Sequence, residues 1–438
     1  MAFNLEVMLS SKLFIFFIVL CATVQITGTR PYEHSTQDKC ILPLQPKNGD
    51  YIIEEKLGIV YLKVTCDPGY KISGNPSLAC RNGNWTSKSF PTCVRACRIP
   101  ESPKIKYRCL ISYGSKRTRE CEELEMDETV VLPECNAPNY YSPAPLQPMF
   151  CIEGVWNYVP KCYTECGRLT PKAKLLVLGG EDAEMGEVPW HAGVYRDDGN
   201  GYKYICGATL ISENVLLSAA HCFYVDRYGK LPKSSFAIAV GKLYREWNHT
   251  NDVHHVQKSL VKKIIFPDRF LGADLFFQED IAIVIVEPFT LKPYIRPVCL
   301  DLVGVTYNSP MDITNGTLGK VAGWGLTSRW TGSESPILKV VDMPYVSYDE
   351  CKRLMPEKYK KLLTYDKFCA GYQNGTVYKG DSGGGWVYVL NVHGVERYHL
   401  GGIVSTIPHA LHKDLERNDL TSFTDIFQHA QLIKKYWN

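Results

Sequence analysis

Three short stretches hold side chains of complementary chemistry: "SAAHC" carries His221, "EDIAIV" carries Asp280 and "GDSGGG" carries Ser382. Each alone says little. A serine hydroxyl becomes an effective nucleophile only when a neutral imidazole takes its proton, and that imidazole needs a buried carboxylate to fix its tautomer and stabilise its charged form. A base, an orienting acid and a nucleophile in one chain therefore point to acyl transfer. The glycines around Ser382 let the backbone bend sharply and present the amides of Gly380 and Ser382 to an oxyanion, an interaction worth about 3 kcal/mol per donor.

The elements that must position these groups are strands. From about residue 177 the chain runs through "HAGVY", "ATLISENVLLSAAHC", "SFAIAV", "DIAIVIV", "GKVAGWG" and "HLGGIVS", with Gly, Pro and Asn between them. Many short strands so punctuated predict an all-β sandwich or pair of barrels. The last segment, "FTDIFQHAQLIKKYWN", has apolar residues at 423, 426, 427, 430 and 433, with Lys434 and Lys435 toward its end. That spacing predicts an amphipathic helix closing the chain.

The 438 residues leave room for two to four globular units, and a net charge of +3 gives no case for nucleic acid or a membrane surface as partner. Residues 13–24, "LFIFFIVLCATV", follow Lys12, the layout of a secretory signal spanning 1–28, and the run is too short to anchor the chain. Sixteen of the 17 cysteines lie beyond it, an even number that points to disulfides in an exported, extracellular protein. Sequons at Asn84, Asn248, Asn315 and Asn374 fit that route. Ten of the cysteines fall between 40 and 162, where small modules need crosslinks in place of a large core.

Residues 40–93, with "NGDY", "VTCDPGY", "LACRNGNW" and "FPTC", resemble a sushi (complement control protein) module. The resemblance implies pairs Cys40 with Cys80 and Cys66 with Cys93. Residues 97–162 hold six cysteines and close with "CIEGVWNYVPKC", like a diverged sushi relative with one more crosslink; 15 pairings are open. The two modules read equally as docking surfaces or as rigid spacers.

Residues 177–438, preceded by a linker and activation segment at 163–176, resemble a chymotrypsin-fold (trypsin-like) serine protease: "VPWHAGVY", "LSAAHC", "DIAIV", "IRPVCL", "AGWG", "FCAG" and "GDSGG" occur in family order. The expected architecture is thus all-β, two disulfide-rich sushi-like modules and then a double β-barrel with a C-terminal helix. The resemblance implies that His221 is the general base, Asp280 its partner, Ser382 the nucleophile and Ser405 a support for Asp280. It also implies an oxyanion hole at Gly380 and Ser382, and disulfides Cys206 with Cys222, Cys351 with Cys369 and Cys166 with Cys299. In this family a cut creates an N-terminus whose ammonium pairs with the residue before the nucleophile, here Asp381. Within "AKLLVLGGED" that register puts the cut between Leu176 and Val177. The primary pocket would be formed by Thr376, Ile407 and Thr421; without a carboxylate at Thr376 a substrate guanidinium is left unpaired, so a Leu-sized side chain fits best. Departures from the family pattern are Tyr378 in place of a cysteine, Thr406 in place of a Trp and Gly385 in place of a Pro.

Module order, leucine at the cut and the non-basic pocket together resemble the modular serine protease zymogens of insect haemolymph. That resemblance implies a secreted zymogen, able to activate itself, that cleaves a downstream protease precursor in Toll or melanisation signalling. Pattern-recognition proteins or a microbial surface would be met through the sushi modules, and a serpin-type inhibitor would restrain it. The alternatives are an Arg-specific complement-type protease and a catalytically silent binding protein. No cofactor or metal is expected; His249, His254 and His255 read as surface residues, since carboxylates for a calcium ion are scarce nearby.

Overall fold

The computed structural model describes residues 40–112, 114, 116–169, 181–302, 313–325, 333–371, 380–392, 394–406 and 420–437. It forms two compact units. The first comprises the described residues through Arg98 together with 124–127 and 153–155. Here Gly49–Lys56 pairs antiparallel with Ile59–Cys66 and the sheet continues through Ser77–Arg81 and Asn84–Trp85. Leu62 and Leu78 fill its small interior, and bridges Cys40–Cys80 and Cys66–Cys93 clamp the two ends.

The second unit takes the rest, including most of the six-cysteine stretch. Within that stretch Ile105–Leu110 pairs with Val130–Cys135, and Cys109, Val131 and Met149 form a minimal core. The bridges are Cys109–Cys121 and Cys135–Cys162, and Cys97 and Cys151 are disulfide-bonded too. This stretch is seated on the larger domain by polar contacts: Lys104 Nζ lies 3.0 Å from Glu213, and Asn139 Nδ2 donates to Leu291 O at 3.2 Å. Arg397 reaches Glu165 at 2.9 Å beside the Cys166–Cys299 bridge.

The larger domain is two barrels of six antiparallel strands. In the first, β1 (His191–Asp197), β2 (Tyr202–Leu210), β3 (Val215–Ser218), β4 (Phe236–Val240), β5 (Gln257–Ile265) and β6 (Ala282–Val286) close in the order β1-β2-β3-β6-β5-β4. In the second, β7 (Leu318–Gly323), β8 (Lys339–Val346), β9 (Lys367–Ala370), β10 (Gly385–Val392), β11 (Val395–Thr406) and β12 (Thr421–Asp425) run β8-β7-β10-β11-β12-β9. Pairing of Tyr345 with Ala370 and Val346 with Cys369 returns β9 to β8. Strands such as "FAIAV" and "AIVIV" are apolar at every position and almost wholly buried, one face pointing into the closed barrel and the other covered by neighbouring parts of the domain.

Trp386 is the largest side chain in the second core, and Gly319 and Gly401 admit it: a Cβ on Gly319 would sit 2.1 Å from its ring. Burying such a ring contributes about 3 kcal/mol. A separate apolar cluster extends from the first barrel through Val387, Leu400 and Ile403 of the second to Ile426, Ala430 and Ile433. That seam is where the two barrels become one body.

The chain end departs from the reading as a continuous helix from 423. Phe423 belongs to β12 and is fully buried, pairing with Phe368 of β9 and Val404 of β11. The helix starts only after Asp425, whose carboxylate caps Phe427 N at 2.9 Å, with a 3-10 turn at Ile426–His429 and then an α-helix at Ala430–Lys434. Sheet pairing outweighed the helical period at its first apolar position. Among the described residues no helix is long and apolar enough to cross a membrane.

His191 opens β1 with its ring against Trp324, and burial pushes its pKa down to about 3. The unfolded chain takes up this proton near 6.5 while the folded one refuses it until about 3, so the stabilisation is present above 6.5 and drains away as pH falls across that interval. Comparing melting temperatures at pH 7 and pH 4, His191→Gln is expected to lose less on acidification than the parent; an equal loss excludes His191 as a source.

Candidate active site

His221 sits in the 3-10 turn Ala220–Phe223 that ends β3, where Ala219 and Ala220 are fully buried and Cys222 is bridged to Cys206 of β2. Asp280 precedes β6, with no exposed surface. Its Oδ1 accepts the His221 amide at 2.9 Å and its Oδ2 lies 2.8 Å from His221 Nδ1. Ser405 of β11 donates its hydroxyl to the same Oδ2 at 2.6 Å. An ionised carboxylate can only accept, so the Nδ1 proton points at Asp280 and Nε2 keeps a free lone pair.

Burial pushes the Asp280 carboxyl upward, but the charge and hydrogen bond of His221, then Lys367 and Ser405, outweigh it and hold the group below the ordinary range. For His221 burial works downward, and the Asp280 charge and hydrogen bond reverse it, leaving the ring a stronger base than free imidazole. The stabilisation of a charged imidazole is thus present below its ordinary pKa and lost as pH rises through the raised value.

Ser382 is held through its main chain. Gly207 N of β2 donates to Ser382 O at 2.8 Å, Gly383 N to Val404 O at 2.9 Å, and Tyr204 Oη to Gly380 O at 2.7 Å. The bend is steep, with φ of +106° at Gly380 and +82° at Gly383. Any Cβ on Gly383 would meet Gly207 O and Ser218 Oγ, both at 2.3 Å. The nucleophile segment is therefore pinned to both barrels, next to the turn that carries His221.

Asp381 is buried against Gly323 and Gly325, where a Cβ on either would overlap its carboxylate, and its Oδ1 accepts Gly325 N at 2.8 Å. Leu176, Val177, Thr376, Ile407, Asn374 and Tyr378 lie outside the described residues. Thr421 is fully buried on β12, and its Oγ1 has no hydrogen-bond partner among the described residues. Thr406 Oγ1 pairs with Ser422 Oγ at 2.6 Å. Asn84, Asn248 and Asn315 are exposed. Away from the site, His249 stacks on Tyr244 at 3.7 Å, and the nearby Asp252 carboxylate is taken by Lys242 Nζ at 2.7 Å.

Sequence reasoning missed the groups behind Asp280. Thr424 Oγ1 donates to Asp280 O at 2.8 Å, and Lys367, Asp366 and His429 are buried next to it. The available signal was a lysine in "KFCA", a strand whose four positions are all buried.

Two six-stranded barrels that meet around this histidine, aspartate and serine have the architecture of a chymotrypsin-like serine protease domain. The chain belongs to the trypsin family, whose model matches residues 177–410, more than half of its 438 residues. The sushi repeat model matches residues 49–93. The "Modular serine protease" of Drosophila melanogaster is 26% identical over 409 residues, covering 90% of this chain and 62% of that protein. "Clotting factor C" of Tachypleus tridentatus is 27% identical over 404 residues, 78% of this chain and 38% of its own length. The "Suppressor of tumorigenicity 14 protein homolog" of Bos taurus is 31% identical over 222 residues, 50% of this chain and 24% of its own length. The chain thus spans less than two thirds of the length of each of these relatives.

Gly383→Ala combines left-handed strain with backbone overlap, so it is expected to cost the domain at least about 2 kcal/mol in thermal or denaturant unfolding. Gly229, with φ +72° and open space around it, provides the control: its Ala variant bears only the conformational strain.

Proposed function

We propose that this chain is a secreted serine endopeptidase zymogen, cut between Leu176 and Val177, that hydrolyses bonds after Leu-like residues in the precursor of another protease. The hydrogen-bonded file Ser405–Asp280–His221, facing the pinned Ser382 segment, is the observation that supports this reading most directly.

In the proposed mechanism His221 Nε2 takes the Ser382 proton as Oγ attacks the scissile carbonyl, and Asp280 stabilises the imidazolium that forms. Amides of Gly380 and Ser382 receive the developing oxyanion. His221 then hands its proton to the leaving amine, and water releases the acyl group by the same steps in reverse roles. Val177 is proposed to bring its ammonium to Asp381, whose carboxylate lies against Gly323 and Gly325. Since a charge buried without a partner is costly, a cut two residues upstream, after Lys174, leaves the ammonium misplaced.

Leucine at the cut and threonine at position 376 favour the same side-chain class, which is why self-activation belongs to the proposal. The printed names of two relatives, a modular serine protease and a clotting factor, support a place in an extracellular proteolytic cascade. Innate-immune signalling in haemolymph, recognition through the sushi modules, glycosylation at the four sequons and a serpin-type inhibitor are parts of the same proposal.

Purified zymogen incubated without added protease is expected to yield the new N-terminus Val-Leu-Gly-Gly, and Ser382→Ala to yield none. The matured enzyme should prefer Leu over Arg before the cut in a peptide panel; an Arg preference sinks the pocket assignment and returns the complement-type alternative. Asp280→Asn should lower kcat by about 10⁴ with KM little changed.

A further inference from the structure

Lys367 is the first residue of β9, and its side chain has no exposed surface. A lysine buried to that degree is rare, because stripping water from an ammonium is expensive unless charges and hydrogen bonds replace it. Here they do. Nζ donates to Thr424 Oγ1 at 2.9 Å and lies 3.5 Å from Asp366 Oδ2. Thr424 in turn donates to Asp280 O, so one hydroxyl separates the ammonium from the backbone of the site aspartate.

The charged groups facing Lys367 come from four segments. Immediately before its strand stands Asp366, which also accepts from Thr364 Oγ1 at 2.6 Å and Glu279 N at 2.9 Å and pairs with His429 Nε2 at 3.1 Å. From the segment before β6 come Glu279, held by Arg269 and Tyr365, and Asp280 itself. From the terminal turn come His429 and, at the end of β12, Asp425, whose carboxyl burial pushes up to about 6. Burial draws the Lys367 pKa below its ordinary value, and the negative charges of Asp366, Asp280 and Glu279 oppose that fall.

We propose that Lys367 is a positioning residue of the active site: its ammonium, fixed behind Asp280 by Thr424 and Asp366, sets the lower end of the pH range over which His221 can act as a base. Asp366 lies 3.5 Å from the ammonium and Asp280 is reached through the Thr424 hydroxyl, so the lysine is a fixed positive charge beside both carboxylates. It keeps Asp280 ionised without using either carboxylate oxygen, both of which remain engaged by His221 and Ser405. It also opposes a second positive charge on the imidazole, working against the upward pull that Asp280 exerts on His221. His221 is thereby released as a neutral base at lower pH than Asp280 alone would allow.

This inference rests on the proposed Asp280–His221–Ser382 mechanism, and the test separates the two. In the full chain, residues 172–176 are replaced by Asp-Asp-Asp-Asp-Lys so that enteropeptidase frees Val177. The rate of inactivation by a leucine phosphonate is then followed against pH; its acid limb reports His221 in the free enzyme. For Lys367→Met the rate is expected to fall to half its plateau at a higher pH than in the parent. For Phe368→Leu, which loosens the same strand without altering charge, the midpoint should stay. Methionine matches the lysine stem in length and Asp366 keeps three other partners, yet if the variant does not fold, Asp366→Asn/Lys367→Met leaves no lone carboxylate and carries the same expectation. An unmoved or lowered midpoint, or an equal shift in Phe368→Leu, overturns the role of Lys367 while the mechanism stands. A parent enzyme that neither the leucine phosphonate nor a small serine-directed fluorophosphate ever labels overturns the mechanism and this inference with it.

Discussion

One buried charge organises the domain. The Asp280 carboxylate is sealed from water at the seam of the two barrels, and an unpaired carboxylate there would cost on the order of 3–5 kcal/mol. Its oxygens are satisfied by the amide and ring of His221 from the first barrel and by Ser405 from the second. Neither barrel supplies these donors alone. The constraint that keeps the site intact is therefore also a constraint on how the barrels dock.

The nucleophile segment is tied by similar logic. Its carbonyls and amides are shared between β2 and β11, and Gly383 passes where no side chain fits. Rigid strands thus hold a tight turn in a conformation that a free loop would abandon, the arrangement expected where geometry must be kept to fractions of an ångström. The charged groups behind Asp280 extend this frame. Lys367, Asp366 and His429 occupy space where apolar side chains would pack more cheaply, and their cost is offset only because each finds partners on another element.

Outside the barrels the chain relies on crosslinks. The sushi unit has little interior beyond Leu62, Leu78 and its two bridges, as is usual for modules too small to bury a large core. Cys166–Cys299 spans 133 residues of sequence and fastens the segment before residue 177 beside β11, where Cys299 N donates to Tyr398 O. A cut after 176 would leave the two parts joined.

Much of the fold was legible because its signals are local. Strand runs, glycine turns, cysteine spacing and the three stretches around His221, Asp280 and Ser382 are each readable within about ten residues. The terminal helix was legible too, except at its start, where Phe423 followed its strand partners Phe368 and Val404 instead of the helical period. What the sequence determined by itself was residue chemistry: a base, an acid, a nucleophile, and glycines where the chain must bend. The family resemblance had already directed Ser405 to Asp280, and only the tertiary structure decided that Thr424 and Lys367, 57 residues apart on β12 and β9, converge behind the same carboxylate. Burial and pairing depend on which strands become neighbours, and no local pattern encodes the charge a residue will face across a barrel.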